Sequence, residues 1–97
     1  MSLSVLLQEI DVVISLYERE IGVPAARTHQ MIERHGAIEA LSKLVVSADL
    51  QSGFRILRDR DQLDSTFEAL IVRHEDLFRK HVVEAAQWRL KNASHLR

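Results

Sequence analysis

Apolar residues recur at three- and four-residue intervals along most of the chain, and no stretch alternates with period two for long enough to predict a strand. At about a hundred degrees per residue, Leu3, Leu6, Leu7, Ile10, Val13, Ile14, Tyr17 and Ile21 share one broad face. That spacing predicts a first helix running to about Glu20, capped by Ser2 or Ser4, with this face in the core. Val5, Val12 and Leu16 form a second, narrower stripe nearly opposite, bordered by Gln8, Asp11, Ser15 and Glu18 on one side and by Glu9 and Glu20 on the other. A surface helix needs one apolar stripe. Either this helix is sandwiched inside the domain, or the second stripe meets another chain.

Gly22 suits the C-terminal cap of that helix, and Pro24 the first turn of the next. A second helix is expected over Pro24–His35, with Ala26, Met31, Ile32 and His35 inward, ended by Gly36. A third follows from Ala37 to about Ser47, burying Ile38, Leu41, Leu44, Val45 and Ala48, with Glu39 early and Lys43 late, as the helix dipole prefers. Ser47 or Asp49 would cap a fourth helix carrying Leu50, Phe54 and Leu57. Gly53 within it lowers stability by roughly 1 kcal/mol relative to alanine, which suggests a close approach there. The charged run RDRDQLD reads as a polar connector. Asp64 or Ser65 would cap a fifth helix in which Leu63, Phe67, Leu70, Ile71 and His74 line up. After a break around Glu75–Lys80, a last helix to about Asn92 buries Val82, Val83, Ala86 and Leu90 and leaves Trp88 off its stripe. The expected architecture is all-α: one domain over residues 1–97, built from five or six short helices with a helix–Gly–helix pair, Gly22 to Leu44, at its centre.

Ninety-seven residues leave no room for a second core, and a chain of this size has a thin margin of buried surface. The net charge of -1 speaks against non-specific nucleic-acid binding by the chain as a whole, though not against a local basic face. With no cysteine, disulfides, thiolate metal sites and cysteine nucleophiles are excluded, and a cytoplasmic location is expected. The N-terminal MSLSVLLQEIDVV has no basic leader and is interrupted by Gln8, Glu9 and Asp11, so it reads as neither a signal peptide nor a membrane span.

The chemistry of known sites finds little to attach to. His29, His35, His74, His81 and His95 form no i,i+4 pair and no HExxH, so surface imidazoles plus one or two core donors are expected, with no metal site. Asp59, Asp61 and Asp64 mimic the start of a calcium loop, but Leu63 stands where an oxygen ligand is required. There is no phosphate-binding glycine loop, no GxSxG and no nucleophile–histidine–carboxylate spacing. Glu33 and Glu39 could face each other across Gly36, yet solvated carboxylates are the commoner outcome. A domain this small is also expected to lack room for a ligand pocket of roughly 300 Å³. No catalytic residue, cofactor or small-molecule substrate is therefore assigned.

Two resemblances add to this. GVPAARTHQMIERHGAIEAL is similar to the helix-hairpin-helix motif of DNA repair proteins: Gly22-Val23 matches its opening, Arg27 a frequent basic position, and Arg34 to Leu41 its later half. The resemblance implies sequence-independent contact with a DNA phosphate, here through Arg27, Arg34, Gly36 and Lys43. Pro24 and Ala25 depart from the pattern where a second glycine is expected, and proline has no N–H to offer. The pattern P-A-x-R-x-x-Q-M-I-E-x-H-G, followed by QLDxxFEALIV and VVEAAQWRL, also resembles a small bacterial helical domain with no defined catalytic residues. That likeness, over Pro24 to Leu90, implies a bacterial cytoplasmic protein.

The leading expectation is a non-catalytic interaction or self-assembly module whose partner is itself, as a homodimer or higher species, or another protein. Its surface would be Val5, Val12 and Leu16 of the first helix with Trp88 of the last, tryptophan being enriched at binding hot spots. DNA-backbone binding is the alternative.

Overall fold

The first helix is about as long as the molecule. In the computed structural model, which describes residues 3–47 and 52–96, α1 (Leu3–Ile21) rises about 1.5 Å per residue to roughly 28 Å. The longest extent of the protein is 29 Å. Five further helices follow: α2 (Ala26–His35), α3 (Ala37–Val46), α4 (Ser52–Asp59), α5 (Phe67–Arg73) and α6 (Lys80–Lys91). Short 3-10 turns at Leu63–Ser65, Glu75–Leu77 and Ala93–His95 complete the described elements, among which there is no strand. The all-α architecture expected from the periodicity is the architecture found.

The shortest helix is the hub. α5 packs against α1, α3 and α6; α6 also packs on α3, α2 on α3, and α4 on α1. Leu70 and Ile71 of α5 are fully buried, as are Leu6, Leu41 and Ala86 from the helices around them. A seven-residue helix has little stability of its own, so its order derives from this burial on several sides.

Gly22 and Gly36 work as the pattern predicts. Gly22 has φ of 77° and its N–H donates to the Glu18 carbonyl at 2.8 Å, closing α1. Gly36 has φ of 82° and ψ of 162° and serves two helices at once. Its N–H donates to the Ile32 carbonyl at 2.8 Å, and its own carbonyl accepts from Ala40 N–H at 2.9 Å. One residue thus ends α2 and begins α3.

Several boundaries and faces differ from expectation. α2 begins at Ala26 rather than Pro24, and Ala25 just before it is the buried residue; Ala26 and His35 are exposed. The cause lies outside the helix, because the Ala25 N–H donates to Glu18 of α1 at 2.7 Å and fixes where the chain turns. Leu3 and Leu7 are exposed although they fall on the core stripe, since no described neighbour covers that flank of α1. Leu90 is only partly buried, while Arg89 beside it is buried.

Caps differ too. Thr66, not Asp64 or Ser65, caps α5: its Oγ1 accepts from Ala69 N–H at 3.2 Å and donates to the Leu63 carbonyl at 2.7 Å. Ser47 ends α3 in extended geometry. The proposed positions Ser2, Ala48, Asp49 and Leu50 lie outside the described residues.

The charged connector is tied down rather than merely solvated. Arg58 donates to the Ala93 carbonyl at 3.2 Å and to that of Leu96, and Arg60 pairs with Glu20 at 2.7 Å. Asp61 takes a φ of 59°, a left-handed conformation that aspartate tolerates better than most residues.

Gly53 faces the ring of Tyr17. A Cβ built there would lie 3.5 Å from the nearest ring carbon, an ordinary contact, so close packing does not require glycine. Gly53→Ala is expected to stabilise the protein by about 0.5 kcal/mol through helix propensity. Urea denaturation checks this; a loss of stability would mean that the Tyr17 ring has no freedom to accept the methyl.

Candidate functional site

Three groups of side chains and one cleft stand out, and none was visible as a local motif. The first group joins α1 to the end of α5. His74 is only 1% exposed, and its Nε2 lies 2.6 Å from Glu9 Oε1. A carboxylate only accepts, so Nε2 carries the proton; Nδ1 is buried without a partner. Arg73 donates to the second Glu9 oxygen at 3.1 Å and to the Asp64 carbonyl at 2.9 Å. The His74 hydrogen bond and the Arg73 guanidinium hold the Glu9 carboxyl below the usual carboxylate range. One or two histidines were expected to donate to a core carbonyl. His74 is a core histidine, but its acceptor is a carboxylate sixty-five residues away.

The second group is a buried ion pair. Glu68 and Arg89 are 3% and 6% exposed, with Arg89 Nη1 3.0 Å from Glu68 Oε2. Arg89 also donates to the carbonyls of Leu44 at 3.3 Å and Ser47 at 2.7 Å. These are among the carbonyls that a helix end leaves without intrahelical donors, so Arg89 closes α3 from α6. Burial pushes the Glu68 carboxyl up from its ordinary value, and the Arg89 hydrogen bond opposes that shift. The third group, at the surface, brings His29 Nε2 within 3.1 Å of Glu18, which also accepts from Ala25 N–H. That backbone hydrogen bond is the main reason the Glu18 carboxyl is held low, with His29 adding to it.

These groups look structural. Each ties one helix to another. Glu33 and Glu39, the carboxylates flanking Gly36, are both exposed. Among the described residues, no three histidine or acidic side chains gather closely enough to hold a metal ion. No described helix is long and apolar enough to cross a membrane.

A cleft of about 380 Å³ opens between α1, the start of α2, the end of α3, α4 and the start of α5. Its walls include Val13, Ile14, Tyr17, Phe54, Leu57 and Phe67, with Arg27 and Thr28 also on its lining. The expectation that so small a domain has no room for such a pocket is thereby corrected. Helices in a bundle of unequal lengths leave a gap where the short ones stop, and length alone does not reveal where.

The residues singled out from the sequence divide into separate surfaces. Val12 is 67% exposed and Val5 43%, but Leu16 is half-buried and packs against the core cluster, so the outer stripe of α1 is two residues rather than three. Trp88 is 57% exposed on α6, which packs on α5 and α3, whereas α1 packs on α5 and α4. Arg27 and Arg34, seven residues apart, line one shallow depression along α2 together with Gln30, Met31, Glu33 and His35, and Lys43 is exposed on α3. The Gly36 N–H is already engaged by Ile32. No family model matches the chain, and no characterised protein or solved structure is significantly similar to it.

Proposed function

We propose that the protein is a non-catalytic helical module that self-associates through the outer face of α1. The supporting observation is the pair of large apolar side chains exposed seven residues apart on that outer face, Val5 and Val12. Gln8, Asp11, Ser15 and Glu18 border the Val5–Val12 stripe on one side. On the other, the Glu9 charge is balanced by Arg73. A two-fold interface must be self-complementary, and an apolar stripe can meet its own copy. A net charge of -1 adds no general barrier.

One helix face covers an area near the lower bound of roughly 1,000 Å² for a specific interface, so the dimer is weak. Light scattering across a concentration series is expected to give a mass that rises from monomer toward dimer, and Val12→Asp is expected to hold it at monomer. A wild-type mass that stays monomeric up to millimolar protein would sink the reading. The same solution titrated with duplex DNA separates the alternative. Binding that weakens steeply with salt, and is lost in an Arg27→Ala, Arg34→Ala variant, would move the function to the α2–α3 surface.

A further inference from the structure

We infer that the cleft beneath Tyr17 is a binding site for a small amphipathic carboxylate, a function beyond self-association and carried by a different surface. Its volume of about 380 Å³ lies within the range of roughly 300–1,000 Å³ typical of ligand sites. An engineered apolar cavity less than half that size, about 150 Å³, holds a benzene molecule.

The chemistry of the walls selects the ligand. Two polar residues reach the lining from α5 and its cap, and both are already engaged. The Thr66 hydroxyl donates to Leu63 and accepts from Ala69, and the Glu68 carboxylate is paired with Arg89. What these walls offer a ligand is therefore apolar and aromatic surface: Tyr17, Phe54 and Phe67 with Val13 and Leu57. Away from Arg27 and Thr28, a polar group set against these walls would lose its water, so the inserted part is a hydrocarbon or an aromatic ring.

Arg27 is different. It is exposed and lines the cleft, and among the described residues its guanidinium has no ion pair or hydrogen bond. A planar fork of donors suits a carboxylate. The nearby acid Glu18 already accepts from Ala25 N–H and His29. An apolar body directed inward with a carboxylate at Arg27 satisfies both parts of the site.

Octanoate and 1-octanol are the probes, titrated into the full chain and followed by methyl NMR. Octanoate is expected to shift the methyls of Val13, Ile14, Val45 and Leu57 while leaving those of Val82 and Val83 unmoved. It should bind severalfold more tightly than octanol, and Arg27→Gln should remove about two- to fivefold of that preference, the worth of one exposed ion pair. Val45→Phe fills the cleft and Ala26→Phe obstructs its exposed rim without touching the core; each is expected to abolish binding. Absence of shifts at millimolar octanoate, shifts spread evenly over the surface, or undiminished binding by a folded Ala26→Phe variant would overturn the site. Equal affinity for octanol and octanoate would overturn the role of Arg27. None of these readouts depends on whether the chain dimerises.

Discussion

Replacing Arg89 by methionine is expected to destabilise the protein by about 3–5 kcal/mol, the cost of leaving one member of a buried ion pair without its partner. For a chain of this length that is a large share of total stability, and it corresponds to a fall in Tm of more than about 12 °C. Two losses combine. Glu68 keeps its place in the core but loses its cation, and the carbonyls of Leu44 and Ser47 lose their donor. The defect should depend on pH in a definite direction. Burial raises the Glu68 carboxyl above its ordinary value, so the folded state holds that proton more tightly than the unfolded state. Stability from this group is full below the ordinary carboxylate range and is lost as pH rises through the folded value. Without Arg89 the upward shift grows, so the variant should be closest to wild type in acid and furthest from it at neutral pH. The double change Glu68→Leu, Arg89→Met should recover much of the loss, because it removes both charges together. Urea denaturation of the three variants at acidic and neutral pH measures all of this. A loss below about 1 kcal/mol for Arg89→Met would mean that the pair is solvated like a surface bridge.

Gly36→Ala carries the second large effect. Its φ of 82° with ψ of 162° lies in a region that is essentially glycine's alone, and forcing another residue there costs on the order of 1–3 kcal/mol. Space is not the obstacle, since a Cβ at Gly36 would meet nothing within 4 Å. The strain belongs wholly to the backbone, which gives a sharp control. D-alanine at this position, introduced by chemical synthesis, adds the same methyl to a residue that favours positive φ. It should be close to neutral while L-alanine destabilises. If both destabilise equally, the cost arises from crowding and the conformational explanation is wrong. Relaxation of L-alanine toward negative φ would instead uncouple α2 from α3, because the Ile32 and Ala40 hydrogen bonds both pass through this residue.

Recurrence of apolar residues at helical spacing was enough to locate all six helices, because burying one stripe is what makes a short segment helical in a protein this size. The two hinge glycines were equally legible, since positive φ is a local backbone property with a local residue signature. Legibility ended where a position depended on a partner distant in sequence. Thr66 was overlooked as a cap because Asp64 and Ser65 have the same local chemistry; only the preceding 3-10 turn puts the Thr66 hydroxyl at the helix start. Nothing in the sequence singled out Arg89 or Glu68, and His74 read only as one member of an apolar face. Each is decided by a residue twenty-one to sixty-five positions away.

The candidate surfaces divide along the same line. Val5 and Val12 could be placed off the core face of α1 by angle alone, but the covering of Leu16 and the exposure of Leu3 and Leu7 depend on where neighbouring helices lie. The cleft beneath Tyr17 is the clearest case. Its walls come from five stretches of chain, and a volume enclosed by several helices has no counterpart in the periodicity of any one of them. The sequence by itself determined which segments are helical and where the backbone must turn, because both are settled within a few residues. Which charges are buried, which apolar faces stay open and where a cavity remains were decided only by tertiary packing, because burial is a property of the neighbours a residue acquires.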